Sequence, residues 1–219
     1  MHALRNHRSA LAAALLTSVL ILDGSQAAAS QKEGDFGTIL FFGDSLTAGY
    51  QLNPDRAFPA LIQEKIDSLG LPYRAVNAGV SGETSADGLS RIDWVLRNPV
   101  DILVLELGAN DAMRGLPLDS TERNLQAIVD KVREKHPNAR LVVAGMMMPQ
   151  SIGPEYARRF QSIFAELAGK NRGVLIPFLL EEVAGEPHLN LPDGIHPNPE
   201  GHKIVAENVW KVLRPLLEE

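Results

Sequence analysis

Gly37-Thr-Ile-Leu-Phe-Phe42 runs directly into Gly43-Asp-Ser-Leu46. A short apolar run that stops at Gly-Asp reads as a buried strand ending in a turn. Phe58, Leu61, Ile62, Ile66 and Leu69 then recur at helix spacing. The same alternation continues outward along the chain. Tyr73–Asn77 predicts a second strand, and Leu89, Ile92 and Leu96 predict a helix that stops before Pro99. Residues 101–107 predict a third strand. Leu125, Ile128, Val129 and Val132 predict the next helix, with Asp119 and Glu122 as a capping pair at its start. Residues 141–146 predict a fourth strand, followed by a helix through Tyr156, Phe160, Ile163, Phe164 and Leu167. Residues 174–179 predict a fifth strand, interrupted by Pro177. A last helix starts near Pro199 and buries Ile204, Val205, Val209, Val212 and Leu213. Five strand–helix units in succession predict an α/β fold, a five-stranded parallel sheet with helices on both faces. The first, third and fourth strands are apolar almost throughout, as expected when both faces are covered.

The chain has 219 residues, the size of one domain, and shows no repeat or second-domain linker. Its net charge of −6 argues against a general nucleic-acid binder. The absence of cysteine excludes disulfides, thiolate nucleophiles, Cys-ligated zinc and iron–sulfur clusters. At the N-terminus, Arg5 and Arg8 precede an apolar run over 10–22 broken only by Thr17 and Ser18, and Ala27-Ala-Ala29 follows. This pattern predicts a secretory signal peptide over 1–29, leaving 30–219 as a periplasmic or secreted domain. The run is shorter than the ~20 apolar residues a spanning helix needs. No later segment is longer, so no stable membrane anchor is expected.

Ligands in such sheets bind beyond the C-terminal strand ends, and four motifs fall there. Ser45, after the first strand, fits an N-cap serine as well as a nucleophile, and Asp44 can cap too. Gly79, after the second, fits a turn glycine as well as a close, unobstructed N–H. Asn110, after the third, fits an Asx turn as well as an oxyanion donor. Asp193-Gly-Ile-His196 fits a solvated turn as well as a carboxylate that orients an imidazole. Taken together the four supply nucleophile, base, orienting acid and oxyanion donors, a complete set for acyl transfer. Glu106 is an odd residue inside a strand, expected to pair with a basic neighbour. His202 lies off the spacing of a helical metal ligand, and no His cluster supports a metal site.

Gly43-Asp-Ser-Leu46, Gly79, Gly108-x-Asn-Asp111 and Asp193-x-x-His196 resemble, in order, the four blocks of the SGNH (GDSL) hydrolases. The resemblance spans about residues 38–199. Phe42-Gly-Asp-Ser-Leu-Thr-Ala-Gly-Tyr50, Glu106-Leu-Gly-Ala-Asn-Asp111 and Asp193-Gly-Ile-His-Pro-Asn198 look most like the subgroup of bacterial arylesterases and multifunctional acyl-CoA thioesterase/lysophospholipases. Ala109 departs from the glycine of many members. The resemblance implies a flavodoxin-like three-layer α/β/α sandwich with strand order 2-1-3-4-5. It implies Ser45 as nucleophile, His196 as base and then acid, and Asp193 as its orienting partner. The Ser45 N–H, the Gly79 N–H and the Asn110 amide would form the oxyanion hole. Hydrolysis would proceed through an acyl-serine, without metal or cofactor, on a small-molecule or lipid ester.

The exit of the fourth strand, Met146-Met-Met-Pro149 with Ile152, suits an acyl chain as well as it suits core packing. Met113 and Leu116, after Asn110, are expected on the opposite wall. The substrate-binding expectation is therefore Met113, Leu116, Met147, Pro149 and Ile152. A carbohydrate or peptidoglycan O-acetylesterase on the same fold is the alternative; sugar recognition favours exposed aromatics and polar clusters near the site. A non-catalytic flavodoxin-like module is a third reading, although no phosphate loop is visible.

Overall fold

The computed structural model describes residues 36–218, and the signal-peptide segment lies outside them. The strands are β1 (Gly37–Gly43), β2 (Tyr73–Asn77), β3 (Ile102–Glu106), β4 (Arg140–Ala144) and β5 (Val174–Ile176). The helices are α1 (Ser45–Ala48), α2 (Phe58–Ser68), α3 (Ser85–Val95), α4 (Ala109–Met113), α5 (Leu118–Lys135), α6 (Pro154–Lys170) and α7 (Pro199–Leu217). All strand pairs are parallel, in the order β2-β1-β3-β4-β5.

The chain moves from β1 outward to β2, then back past β1 to β3 and on to β5. With right-handed crossovers this places α2 on one face and α3, α5 and α6 on the other. The packing agrees: α2 lies against α7, α3 against α5, and α5 against α6. The result is the expected three-layer α/β/α sandwich. Central β1 and β3 bury Ile39, Phe41, Phe42 and Ile102 completely or nearly so, whereas edge strand β2 leaves Arg74, Val76 and Asn77 exposed. The reversal of strand order between β1 and β3 opens a crevice at their C-terminal ends. Gly43 and Glu106 face each other there in register.

Two local expectations fail. β5 ends at Ile176 rather than 179, because Pro177 has no N–H to extend the ladder to β4. Asp119 and Glu122 do not cap α5, whose N-cap is Pro117 with no side-chain cap bond. Glu122 instead pairs with Arg159 on α6. α3 carries a capping box, with Thr84 and Asp87 exchanging bonds with each other's backbone N–H.

His202, in the first turn of α7, is buried at 1% exposure. Its Nδ1 accepts the otherwise free N–H of Phe58 at the start of α2 (3.2 Å), so it joins two helices across the chain. Burial holds its pKa down at about 4.

Candidate active site

Asp44 resolves the choice left open at the end of β1. It is the N-cap of α1, and its Oδ1 accepts the Leu46 N–H at 3.0 Å. Ser45 is thereby free of capping duty, and its Oγ lies 3.0 Å from His196 Nε2. His196 arrives on the loop between β5 and α7. Asp193 Oδ2 lies 2.7 Å from His196 Nδ1, and Asp193 Oδ1 accepts the Ile195 and His196 N–H groups at 2.9 and 3.0 Å. These two backbone donors are the main reason the Asp193 pKa falls to about 2. A carboxylate on Nδ1 selects the tautomer whose Nε2 is free to take a proton from Ser45. The Tyr50 ring leans on the imidazole, with centroids 4.4 Å apart. Nothing in the sequence motifs assigns Tyr50 a role.

Asn110 is not an Asx turn. It is buried in α4, and its Nδ2 donates to Asp44 Oδ2 at 2.9 Å. An amide nitrogen has two hydrogens, so one remains for a ligand. Among the described residues nothing accepts the N–H of Ser45.

Gly79 departs from expectation. Its N–H is not unobstructed but donates to the Asn77 side chain at 2.9 Å. A Cβ there would lie 2.3 Å from the Ala48 nitrogen, so the glycine serves close packing beneath α1. Three residues on, Val80–Glu83 forms a turn closed by Glu83 N–H to Val80 C=O, with Gly82 at φ 82. The Gly82 N–H has no acceptor among the described residues, and its carbonyl takes a bond from Arg114, just after α4. Arg91 braces this turn from α3, bonding Glu83 at 2.5 Å and the Ala78 carbonyl at 2.8 Å. Asp111 closes the other side by accepting from Ser85 N–H and Oγ and from Thr121.

Ser45 and His196 open onto a cleft of about 540 Å³. Met113, Met147, Pro149 and Ile152 line it as expected, with Met146, Leu180 and Ile195. Leu116 is not among the lining residues: it is half-buried, and its carbonyl accepts from the hydroxyl of Tyr156 on α6. Met113, Met147, Ile152 and Ile195 are all large apolar side chains left exposed at the cleft.

Glu106 also contradicts expectation, since none of its partners among the described residues is basic. It is buried beside Asp44, its Oε2 accepting from Thr47 Oγ1 (2.7 Å) and the Asp44 N–H (3.1 Å). Burial raises both carboxyls, Asp44 to about 6 and Glu106 well above the usual range.

Fold and site together define a class, the serine hydrolases acting on ester bonds. More particularly, the chain belongs to the GDSL-like Lipase/Acylhydrolase family, whose family model matches residues 41–204. It is 36% identical over 211 residues to the Esterase TesA of Pseudomonas aeruginosa, covering 96% of this chain and all of that protein. It is 38% identical over 182 residues to the Thioesterase 1/protease 1/lysophospholipase L1 of Escherichia coli K12, covering 82% and 85% of the two chains. Among solved structures, the psychrotrophic esterase EstA from Pseudoalteromonas sp., inhibited by monoethylphosphonate, superimposes with a TM-score of 0.77 at 31% identity. That match covers 84% of this chain and all of the other.

Proposed function

We propose that the protein hydrolyses acyl and aryl esters, together with thioesters and lysophospholipids, through an acyl-Ser45 intermediate. The observation that carries this reading is the unbroken line from Asp193 through His196 to Ser45, at 2.7 and 3.0 Å, at the mouth of an apolar cleft. Ser45 Oγ attacks the ester carbonyl carbon as its proton passes to His196 Nε2. The resulting imidazolium protonates the departing alcohol or thiol. Water, deprotonated in turn by His196, then attacks the acyl-serine and releases the acid and Ser45. The developing oxyanion is received by the Ser45 N–H, the Asn110 amide and, in place of Gly79, the Gly82 N–H, which has no acceptor among the described residues and whose carbonyl is tied by Arg114 to the end of α4. No step calls for a metal, so chelators should leave the rate unchanged. Ester hydrolysis by relatives with these names, and phosphonate inhibition of one of them, support the assignment.

The substrate class follows from the cleft wall. Three consecutive methionines and Ile152 offer an unbranched chain an adaptable apolar surface. Such a wall has little to offer an acetylated sugar, so the O-acetylesterase alternative is not favoured. The residues over 1–29 support export to the periplasm or medium; N-terminal sequencing of the exported protein should begin at or near Ser30, and an intact Met1 would refute it.

A series of nitrophenyl esters from acetyl to long acyl tests the substrate reading. Full desolvation would yield about 0.8 kcal/mol per methylene, and an open cleft delivers less. kcat/KM should therefore rise gently with chain length and then level off. Met147→Gln should flatten the rise while sparing the acetyl ester. A wild-type preference for acetyl esters would overturn the acyl-cleft reading.

A further inference from the structure

Behind the nucleophile lies a second pair of acids that the triad does not use. Glu106 is the last residue of β3, in register with Gly43 at the end of β1. The fit is close: a Cβ on Gly43 would lie 2.4 Å from Glu106 Oε2 and 2.1 Å from Thr47 Oγ1. Glu106 and Asp44 are each 1% exposed. The groups facing them are Thr47, the Leu46 N–H and Asn110, with His196 beyond Asp44. Arg91 reaches the Gly43 carbonyl at 3.4 Å but directs its Nε to Glu83. Among the described residues no cation bonds either carboxyl group. Two adjacent carboxylates in a dry pocket without a cation cannot both remain ionised.

The hydrogen bonds say where the retained proton sits. Glu106 Oε2 already accepts twice, whereas Glu106 Oε1 is buried and receives no hydrogen bond from any described residue. Asp44 accepts the Leu46 N–H on Oδ1 and the Asn110 amide on Oδ2, the pattern of an anion. We propose that Glu106 is a positioning residue whose protonated Oε1 donates to Asp44 and keeps Asp44 the anion that orients the Asn110 amide. One amide hydrogen bonded to Asp44 fixes the plane of the group and leaves the other free for a ligand. A protonated Glu106 also removes the charge that would otherwise force Asp44 to take the proton. The strong upward displacement of the Glu106 pKa agrees with this placement. The proposal rests on reading Asn110 as an oxyanion donor.

Glu106→Gln and Glu106→Leu test it. Glutamine can accept from Thr47 and the Asp44 N–H through its oxygen and donate to Asp44 through its nitrogen, reproducing a protonated glutamate. Glu106→Gln should keep kcat and KM within about threefold of wild type, whereas Glu106→Leu should lose about 10–100-fold in kcat with KM little changed, part of the effect of losing a whole oxyanion donor. In carbonyl-¹³C glutamate NMR at pH 7, wild type should show one carboxyl signal at the protonated position, absent from Glu106→Gln. Loss of activity in glutamine equal to that in leucine, or carboxylate positions for every glutamate, overturns the proposal. Should Glu106→Leu fail to fold, the glutamine kinetics and the NMR signal still decide it. These outcomes leave the donor reading of Asn110 standing; that reading fails separately, if Asn110→Ala keeps its full kcat.

Discussion

Asp44 and Asp193 are the same residue type on two sides of one serine, and their surroundings drive them in opposite directions. Asp44 is buried between β1 and β3, and burial lifts its pKa to about 6. Asp193 sits on the loop between β5 and α7 with its side chain 36% exposed, and two backbone N–H groups pull it down to about 2. In the proposed mechanism the loop-borne half of the site keeps a permanent anion for the histidine that moves protons. The buried half holds polar groups that need only stay in place. Local donors outweigh burial on the loop, and burial outweighs local donors in the crevice.

Asp193→Asn strikes the loop half and should have the largest effect. An amide at this position no longer enforces the tautomer with Nε2 free, and kcat should fall on the order of 10⁴-fold. Because Asp193 is ionised above about pH 2, it should contribute no acid limb to the wild-type rate profile between pH 4 and 9. An acid limb that disappears in Asp193→Asn at retained activity would reverse the comparison.

Asn110→Ala strikes the buried half and should cost about 10²–10³-fold in kcat with KM nearly unchanged, since the donor acts once charge develops. An equal loss in KM would make Asn110 a ground-state contact instead.

His202 extends the comparison to a buried base away from the site. Its folded pKa of about 4 lies below the ordinary 6.5, so between these values the unfolded chain binds a proton that the folded one refuses. Its contribution is complete above pH 6.5 and is lost as pH falls toward 4, about 3 kcal/mol over the window. Asp44, raised to about 6, acts with the opposite sign across part of that range. The clean measurement is therefore a difference: the stability advantage of wild type over His202→Gln should shrink from pH 7.5 to pH 4. A constant advantage would mean that His202 titrates normally in the folded protein.

The sheet is legible because each central strand is an apolar run followed within two residues by Gly, whereas the strand order, and with it the switch point at β1 and β3, is implied only by the resemblance to the SGNH hydrolases. Ser45, Asp193 and His196 were legible because each sits in a short motif. What lay hidden depends on partners distant along the chain. Glu106 meets Asp44 across 62 positions, and His202 reaches Phe58 across 144. The sequence points to Gly79 because spacing does not reveal that Asn77 turns its side chain onto that glycine. Leu116 shares the apolar character of Met113, but the turn at Gly115 carries it to α6. Glu122 suited a cap by spacing, yet Pro117 begins the helix and Arg159 takes the carboxylate.

Covalent labelling tests the central assignment most directly. Wild-type protein treated with an alkyl fluorophosphonate should lose activity in step with a single adduct, which peptide mass spectrometry should place on Ser45. Ser45→Ala should fold normally, take up no label and hydrolyse no ester. An adduct on another residue, or ester turnover by Ser45→Ala above a few per cent of wild type, would contradict the account.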